Sequence, residues 1–294
     1  MDIGIALDTH GTAEHPVRWD SLREQALAAE EAGFDLVVLP DHLYYPADEP
    51  ITAWESMSLA GAVAAATTRI RVGHSMVNLP YRQPTIVAAA ANTLDEISGG
   101  RYVLGLGAGN TPEAEYAALG IDASRRYSRA AEAVAIIAEM LRTGRSDASG
   151  ELLSAAGATL AQRSPRPAGP PIVLAAHGPR MLELAARLAD EWNGYDHSSS
   201  GDPTVYRGLV ERLEGACESV GRDPATLRRS LDIVIGHGRD AGLGFDGPTD
   251  RIAEAILGLG ELGIDEVRCY VPPRSTPERV AELAPLVDAV HAGS

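Results

Sequence analysis

Apolar positions along the chain switch repeatedly between two spacings. Ile3–Asp8 and Asp35–Leu39 are short continuous apolar runs, the pattern of strands buried on both faces. Between them, Trp19–Ala32 places Leu22, Ala26, Leu27 and Ala29 at helical spacing, and Gly33 supplies the residue that commonly stops a helix. The alternation goes on as helix Trp54–Ala66, strand Ile70–Met76, helix Pro84–Ile97, strand Tyr102–Leu106 and a long helix from Ser124 to Leu141. It then resumes with strand Ile172–Ala175, helix Arg180–Asp190, a less apolar strand Glu191–Tyr195 and helix Val205–Val220. Strand Leu231–His237, helix Arg251–Leu262, strand Asp265–Val271 and helix Pro277–Val290 complete the series. Eight strand–helix pairs in one chain predict an α/β fold, a (β/α)8 TIM barrel formed as a single domain over 1–294. An open doubly wound sheet fits less well, because Asp8-Thr-His-Gly11 does not supply the glycine fingerprint that such a sheet carries after its first strand. Two stretches break the rhythm and read as loops: Thr143–Pro171, an irregular insertion after unit four, and the glycine-rich Gly238–Pro248.

Composition narrows the class. Hydrophobic residues make up 45% of the chain, enough for a large core, yet no apolar run reaches membrane-spanning length. Met1 leads directly into a strand without a basic, signal-like segment, so the chain is read as cytoplasmic. A formal charge of −16 would repel a phosphate backbone, which argues against nucleic acid as a partner. Cys217 and Cys269 are far apart and lack CxxC spacing, and no HxH or HExxH pattern occurs, so neither a disulfide framework nor a metal site is expected. The basic residues are all arginine.

In a barrel of this kind, polar residues just past the C-terminal ends of strands are where chemistry concentrates. Those positions hold Asp8, Thr9 and His10; Asp41 and His42; His74, Ser75 and Asn78; Gly107, Gly109 and Asn110; His177 and Gly178; and His237. Asp41-His42 pairs a carboxylate with an imidazole able to exchange protons near neutral pH, or forms a polar rim with no chemical task. Gly105-Leu-Gly-Ala-Gly109 is either a tight turn or a backbone that lets a planar or phosphorylated ligand come close. His177-Gly-Pro-Arg180 opens a helix with a small residue and a proline, leaving N–H groups free for an anion or simply starting the helix. Trp19 and Trp192 have plain packing explanations, and Trp54 reads as core more readily than as a pocket wall.

Taken in order, several segments resemble the luciferase-like family of flavin- and deazaflavin-dependent oxidoreductases. They are Glu31-Ala-Gly-Phe-Asp35 leading to Asp41-His42, Arg69-Ile-Arg-Val-Gly73, Pro84 to Ala90, and Thr93-Leu-Asp-Glu-Ile-Ser-Gly-Gly-Arg101. Leu104-Gly-Leu-Gly-Ala-Gly109, Pro170-Pro-Ile172 and Ala175-Ala-His-Gly-Pro179 extend the series along nearly the whole chain. The resemblance implies a bulge after strand three with a non-prolyl cis peptide at Ser75-Met76 supporting a cofactor ring. It also implies that Gly107, Gly109 and Asn110 lie beside the cofactor, with Ala176, His177, Gly178 and Pro179 around its phosphate. Asp41-His42 is similar to the coenzyme F420-dependent members, in which Asp41 would contact the ring and His42 would be catalytic. The aldehyde-oxidising branch shows Glu-His-His there. The implied activity is hydride transfer between coenzyme F420 and a small-molecule substrate. The alternatives are a two-component monooxygenase using reduced FMN from a separate reductase, and a non-catalytic flavin-binding barrel. A homodimer is implied, with the Ala-rich helices Ser58–Ala66 and Thr85–Ala91 as its candidate faces. This chain departs from sugar-phosphate-oxidising relatives, which carry a carboxylate at the place of Asn110 and use lysines this chain lacks. Tyr44, Tyr45 and Pro46 also stand where a tryptophan is expected.

Overall fold

The computed structural model describes residues 1–45, 50–109, 113–195, 202–236, 245–271 and 275–294. The fold class is α/β, a (β/α)8 barrel. Its strands are β1 (Asp2–Ala6), β2 (Leu36–Leu39), β3 (Arg71–His74), β4 (Tyr102–Gly107), β5 (Ile172–Ala175), β6 (Glu191–Tyr195), β7 (Arg228–Gly236) and β8 (Glu266–Tyr270). The helices described are α1 (Trp19–Glu31), α2 (Ser56–Ala66), α3 (Pro84–Ile97), α4 (Glu113–Ala118), α5 (Arg126–Thr143), α6 (Pro179–Leu188), α7 (Pro203–Ser219), α8 (Thr249–Gly260), α9 (Pro277–Ala281) and α10 (Ala284–Gly293). The apolar period therefore locates each predicted pair. It does not locate α4, which at six residues is too short to show a period. The run Pro277–Val290 divides into two helices, with Pro285 in the first turn of the second, where a missing N–H costs nothing.

Packing divides the chain into two compact units. In the first, comprising 1–8, 18–38 and 176–294, parallel ladders join β6 to β7, β7 to β8, β8 to β1 and β1 to β2. Strand β6 reads weakly in sequence because its buried face is polar and satisfied within this unit. Glu191 pairs with the fully buried Arg268 at 2.5 Å, and the Asn193 side-chain amide donates to Asp232 at 2.9 Å and Ser230 at 3.2 Å. Trp192, also buried, donates its indole N–H to the carbonyl of Ala176 at 2.8 Å, in keeping with a packing role.

The second unit, comprising 9–17 and 39–175, carries the parallel ladders β3–β4 and β4–β5. It also holds a small antiparallel sheet of His10–Gly11, Ile51–Ala53 and Tyr44–Tyr45. Trp54 lies beside this sheet with 53% of its surface exposed, its indole N–H donating to the Val17 carbonyl at 2.9 Å, so it is not a core residue. The insertion Thr143–Pro171 is less irregular than its composition predicts. Arg145–Ser146 pairs with Ala158–Thr159, and the Glu132 carboxylate accepts from the N–H groups of Glu151, Leu152 and Leu153. Asn92 and Asp95 of α3 hold its far end, Asn92 through Ser164 and Gln162, and the buried Asp95 through Arg166.

Candidate active site

Strand β4 sets the geometry of the second unit's site. Its first half pairs with β3, Val72 opposite Tyr102 and Gly73 opposite Val103. Its second half pairs with Val77–Asn78, which lie opposite Leu106 and Gly107. Four steps along one strand thus match three along the other, so one extra residue bulges between Gly73 and Val77. The Ser75–Met76 peptide bond inside this bulge is cis, at the position that the resemblance indicates. Glycine is required opposite it: a Cβ on Gly105 would stand 1.9 Å from the His74 carbonyl oxygen and 2.7 Å from Met76 Sδ. Gly107 and Gly109 also have local reasons. A Cβ on Gly107 would lie 3.2 Å from that of Met76. Gly109, at φ +85°, would meet the Tyr116 hydroxyl at 2.0 Å and the Asn78 side chain at 2.8 Å.

Asp41, almost wholly buried, is bonded to its surroundings on every side. Its carboxylate accepts from the Ser56 hydroxyl at 2.7 Å, from the backbone N–H of Asn78 at 2.8 Å and from both terminal nitrogens of Arg82 at 2.5 and 2.9 Å. Arg82 also reaches Glu55 at 2.5 Å. Burial alone would weaken the Arg82 charge, but Asp41 and Glu55 raise its pKa above the ordinary arginine value. Burial likewise works against ionisation of Glu55, yet hydrogen bonds from Ser58 and Arg82 hold its pKa down to about 2. Asp41 therefore fastens the bulge, through Asn78, to α2 and to Arg82.

His42 stands differently. Its side chain keeps 22% of its surface exposed, and Nδ1 lies 3.5 Å from Oε2 of Glu115, whose own side chain is fully buried. The other oxygen of Glu115 accepts from the N–H groups of Leu43 at 2.6 Å and Tyr44 at 3.1 Å. The His10 ring is 6.5 Å away, centroid to centroid. Burial lowers the His42 pKa below the usual histidine value, partly offset by the Glu115 carboxylate. His74 is sealed behind the bulge, its Nδ1 sharing a 2.8 Å hydrogen bond with the Tyr102 hydroxyl, and burial pushes its pKa down to about 4. Of these two imidazoles, only His42 keeps part of its side chain exposed, as exchange of a proton with a substrate requires.

A family model described as luciferase-like monooxygenase matches residues 1–241. The chain belongs to this family. Among its luciferase-like relatives, an F420-dependent glucose-6-phosphate dehydrogenase from Beutenbergia cavernae is 31% identical over 262 residues, which cover 87% of this chain and 74% of that protein. A 5,10-methylenetetrahydromethanopterin reductase from Methanolobus tindarius is 32% identical over 240 residues, 82% of this chain and 68% of that one. The solved structure of an F420-dependent secondary alcohol dehydrogenase in complex with an F420-acetone adduct matches with a TM-score of 0.81 over 98% of both chains. At 18% identity, that likeness is one of fold. Like these relatives, the chain is an oxidoreductase enzyme.

Within this luciferase-like chain, the second unit gathers His10, Asp41, His42, Ser75, Met76, Gly107 and Gly109. The first unit holds Ala176, His177, Gly178 and Pro179. Gly178 precedes α6 as its N-cap; among the described residues no side chain caps that helix, and none but its chain neighbours comes within 4 Å of where a Gly178 Cβ would stand. Asn110 and His237 lie outside the described residues. Among the described residues there is no group of three or more potential ligands able to hold a metal, and no helix long and apolar enough to cross a membrane. Sequence reasoning missed Glu115, Arg82 and Glu55. Each acts on a residue 27 to 72 positions away, so no local pattern marks it. The usable signal for Glu115 was a polar Glu-Tyr step soon after the glycine loop.

Proposed function

We propose that the protein transfers a hydride between coenzyme F420 and a small organic substrate, with His42 exchanging the accompanying proton. The observation that carries this reading is the hydrogen bond from Asn78 N–H to Asp41, which joins the Asp41-His42 pair to the Ser75–Met76 bulge in one rigid piece. A support for a ring and a group for a proton are thereby built together, as a reaction moving both a hydride and a proton needs. The residues fit such a cofactor in a second respect. The uncapped first turn of α6 behind Gly178 has room for an anionic group, and Ala176, His177, Gly178 and Pro179 are proposed to hold its phosphate.

When bound, the deazaflavin supplies a carbon that accepts or returns the hydride. The protein's own residues do the rest. Ser75, Met76, Gly107 and Gly109 form the ring side of the proposed site, while Nε2 of His42 takes the proton of a substrate hydroxyl or gives it back. Asp41, already saturated by four donors, serves that site by holding the bulge. The name of the Beutenbergia relative, an F420-dependent glucose-6-phosphate dehydrogenase, favours a deazaflavin over FMN. Lacking lysine, the chain is poorly equipped for the sugar phosphate of the Beutenbergia relative.

Titration of the purified protein with oxidised F420 and separately with FMN, followed by turnover on secondary alcohols and activated double bonds, tests the proposal. Expected is saturable F420 binding with F420-linked turnover. Binding of FMN alone would replace it with the reductase-fed monooxygenase, and binding without any turnover would favour a non-catalytic barrel. The two free, buried cysteines suit the cytoplasm. We also propose a homodimer, supported by the exposed Ile86 and Ile97 on α3; a single monomeric boundary at micromolar concentration in sedimentation velocity would remove that part.

A further inference from the structure

We infer that Glu115 is the positioning residue for the proton-exchanging imidazole: it holds Nδ1 of His42 as a hydrogen-bond donor and so reserves Nε2 for the substrate. The inference deepens the proton role proposed for His42 and rests on it.

The geometry is specific. Helix α4 delivers Glu115 into a fully buried position, where one carboxylate oxygen is consumed by the N–H groups of Leu43 and Tyr44, the two residues immediately after His42. Those bonds fix the carboxylate and also the chain that carries the imidazole. The second oxygen, Oε2, is buried without a hydrogen-bond donor among the described residues, and it faces Nδ1 at 3.5 Å. A buried acceptor left in that state is costly, and a movement of roughly 0.5 Å would bring Nδ1–H to bonding distance. The next residue, Tyr116, donates to the Asn78 side chain at 3.3 Å, so the same short helix braces both the imidazole and the bulge.

Among the described residues, Asp41 and His10 also face His42. Asp41 adds a weaker pull in the same direction as Glu115, and His10 opposes both. Glu115 is the stronger carboxylate influence, and it works against the burial that otherwise depresses His42. In the direction of alcohol oxidation, the substrate C–H leaves as hydride to the deazaflavin and the O–H proton passes to Nε2. The resulting imidazolium keeps its Nδ1 proton, shared with Glu115, and no proton moves onto the carboxylate. Reduction of a carbonyl reverses both transfers.

The test is a histidine NMR titration of the protein without added cofactor, using ring-labelled histidine with His42 assigned by substitution. In the wild type the neutral imidazole is expected as the Nδ1–H tautomer. In Glu115→Gln, which keeps an oxygen for Leu43 and Tyr44 but removes the charge, the His42 midpoint should fall by about one pH unit. Glu115→Asp should recover part of that shift, and the acid limb of the pH profile of kcat should move with the midpoint while the KM for F420 stays near that of wild type. An Nε2–H tautomer in the wild type overturns the inference even if Glu115→Gln fails to fold. So does an unchanged midpoint in a folded Glu115→Gln variant. If the pairing holds by NMR but no F420 binds, the proposed activity falls while the Glu115–His42 unit remains.

Discussion

Removing the His42 imidazole takes away a partly exposed side chain, whereas removing the neighbouring Asp41 carboxylate leaves the Arg82 cation short of a partner. His42→Ala should therefore lower single-turnover hydride transfer by roughly 10²–10⁴-fold, with F420 affinity close to wild type. Stopped-flow absorbance and equilibrium binding on one preparation separate the two effects, and full activity in the variant would end the proton role. Asp41→Ala leaves Arg82 largely buried with only Glu55 opposite it, and frees the N–H of Asn78. Breaking a buried pair from one side costs about 3–5 kcal/mol, so urea denaturation should show a loss of that size. The sequence led to an expectation of direct ring contact for Asp41. Its four donors give it a structural task as well, one no residue pattern could carry, because Ser56, Asn78 and Arg82 converge on it only in three dimensions.

At the scale of elements, the bulge after β3 depends on its partner strand. Gly105→Ala would drive a methyl group into the His74 carbonyl, which is backbone and cannot swing aside, so the bulge must move. The expected result is a lowered melting temperature together with weakened F420 binding. Gly178→Ala, at an ordinary φ of −83° with open space around it, should leave the melting temperature unchanged. Equal stability for Gly105→Ala and wild type would show that β4 does not constrain the bulge. Much of the framework was legible beforehand: Pro84–Ile97, Ile172–Ala175 and Glu191–Tyr195 coincide residue for residue with the predicted elements. Pro84–Ile97 and Ile172–Ala175 are runs whose own apolar or proline signals fix their ends. The small sheet around His10, Tyr44 and Ile51 was not legible, since strands of two or three residues have no period and exist through their pairing. Helix α4 was hidden for the same reason, and with it Glu115.

The whole molecule should respond unequally to acid and alkali. On the acid side, His74 has a folded pKa of about 4 against an ordinary 6.5, because burial opposes its charge. The unfolded chain then takes up the proton first. The stability tied to this residue is complete above about pH 6.5 and drains away towards pH 4, to a total of about 3 kcal/mol. Urea midpoints for wild type should fall between pH 7 and pH 5 more steeply than those for His74→Gln, and parallel curves would refute the assignment. On the alkaline side, the buried ion pairs described above, Arg82 with Asp41, Arg166 with Asp95 and Arg268 with Glu191, all use a guanidinium, which stays protonated beyond pH 12. In a protein built on lysine pairs, the cations themselves would begin to fail near pH 10. Here the buried groups pressed by alkali are acids: burial raises the thiol pKa of Cys269 in β8, and that of Cys217, above the ordinary value, so the unfolded state gains once free thiols ionise, above about pH 9. Alkali thus presses on the buried sulfurs of this molecule well before its buried guanidinium nitrogens.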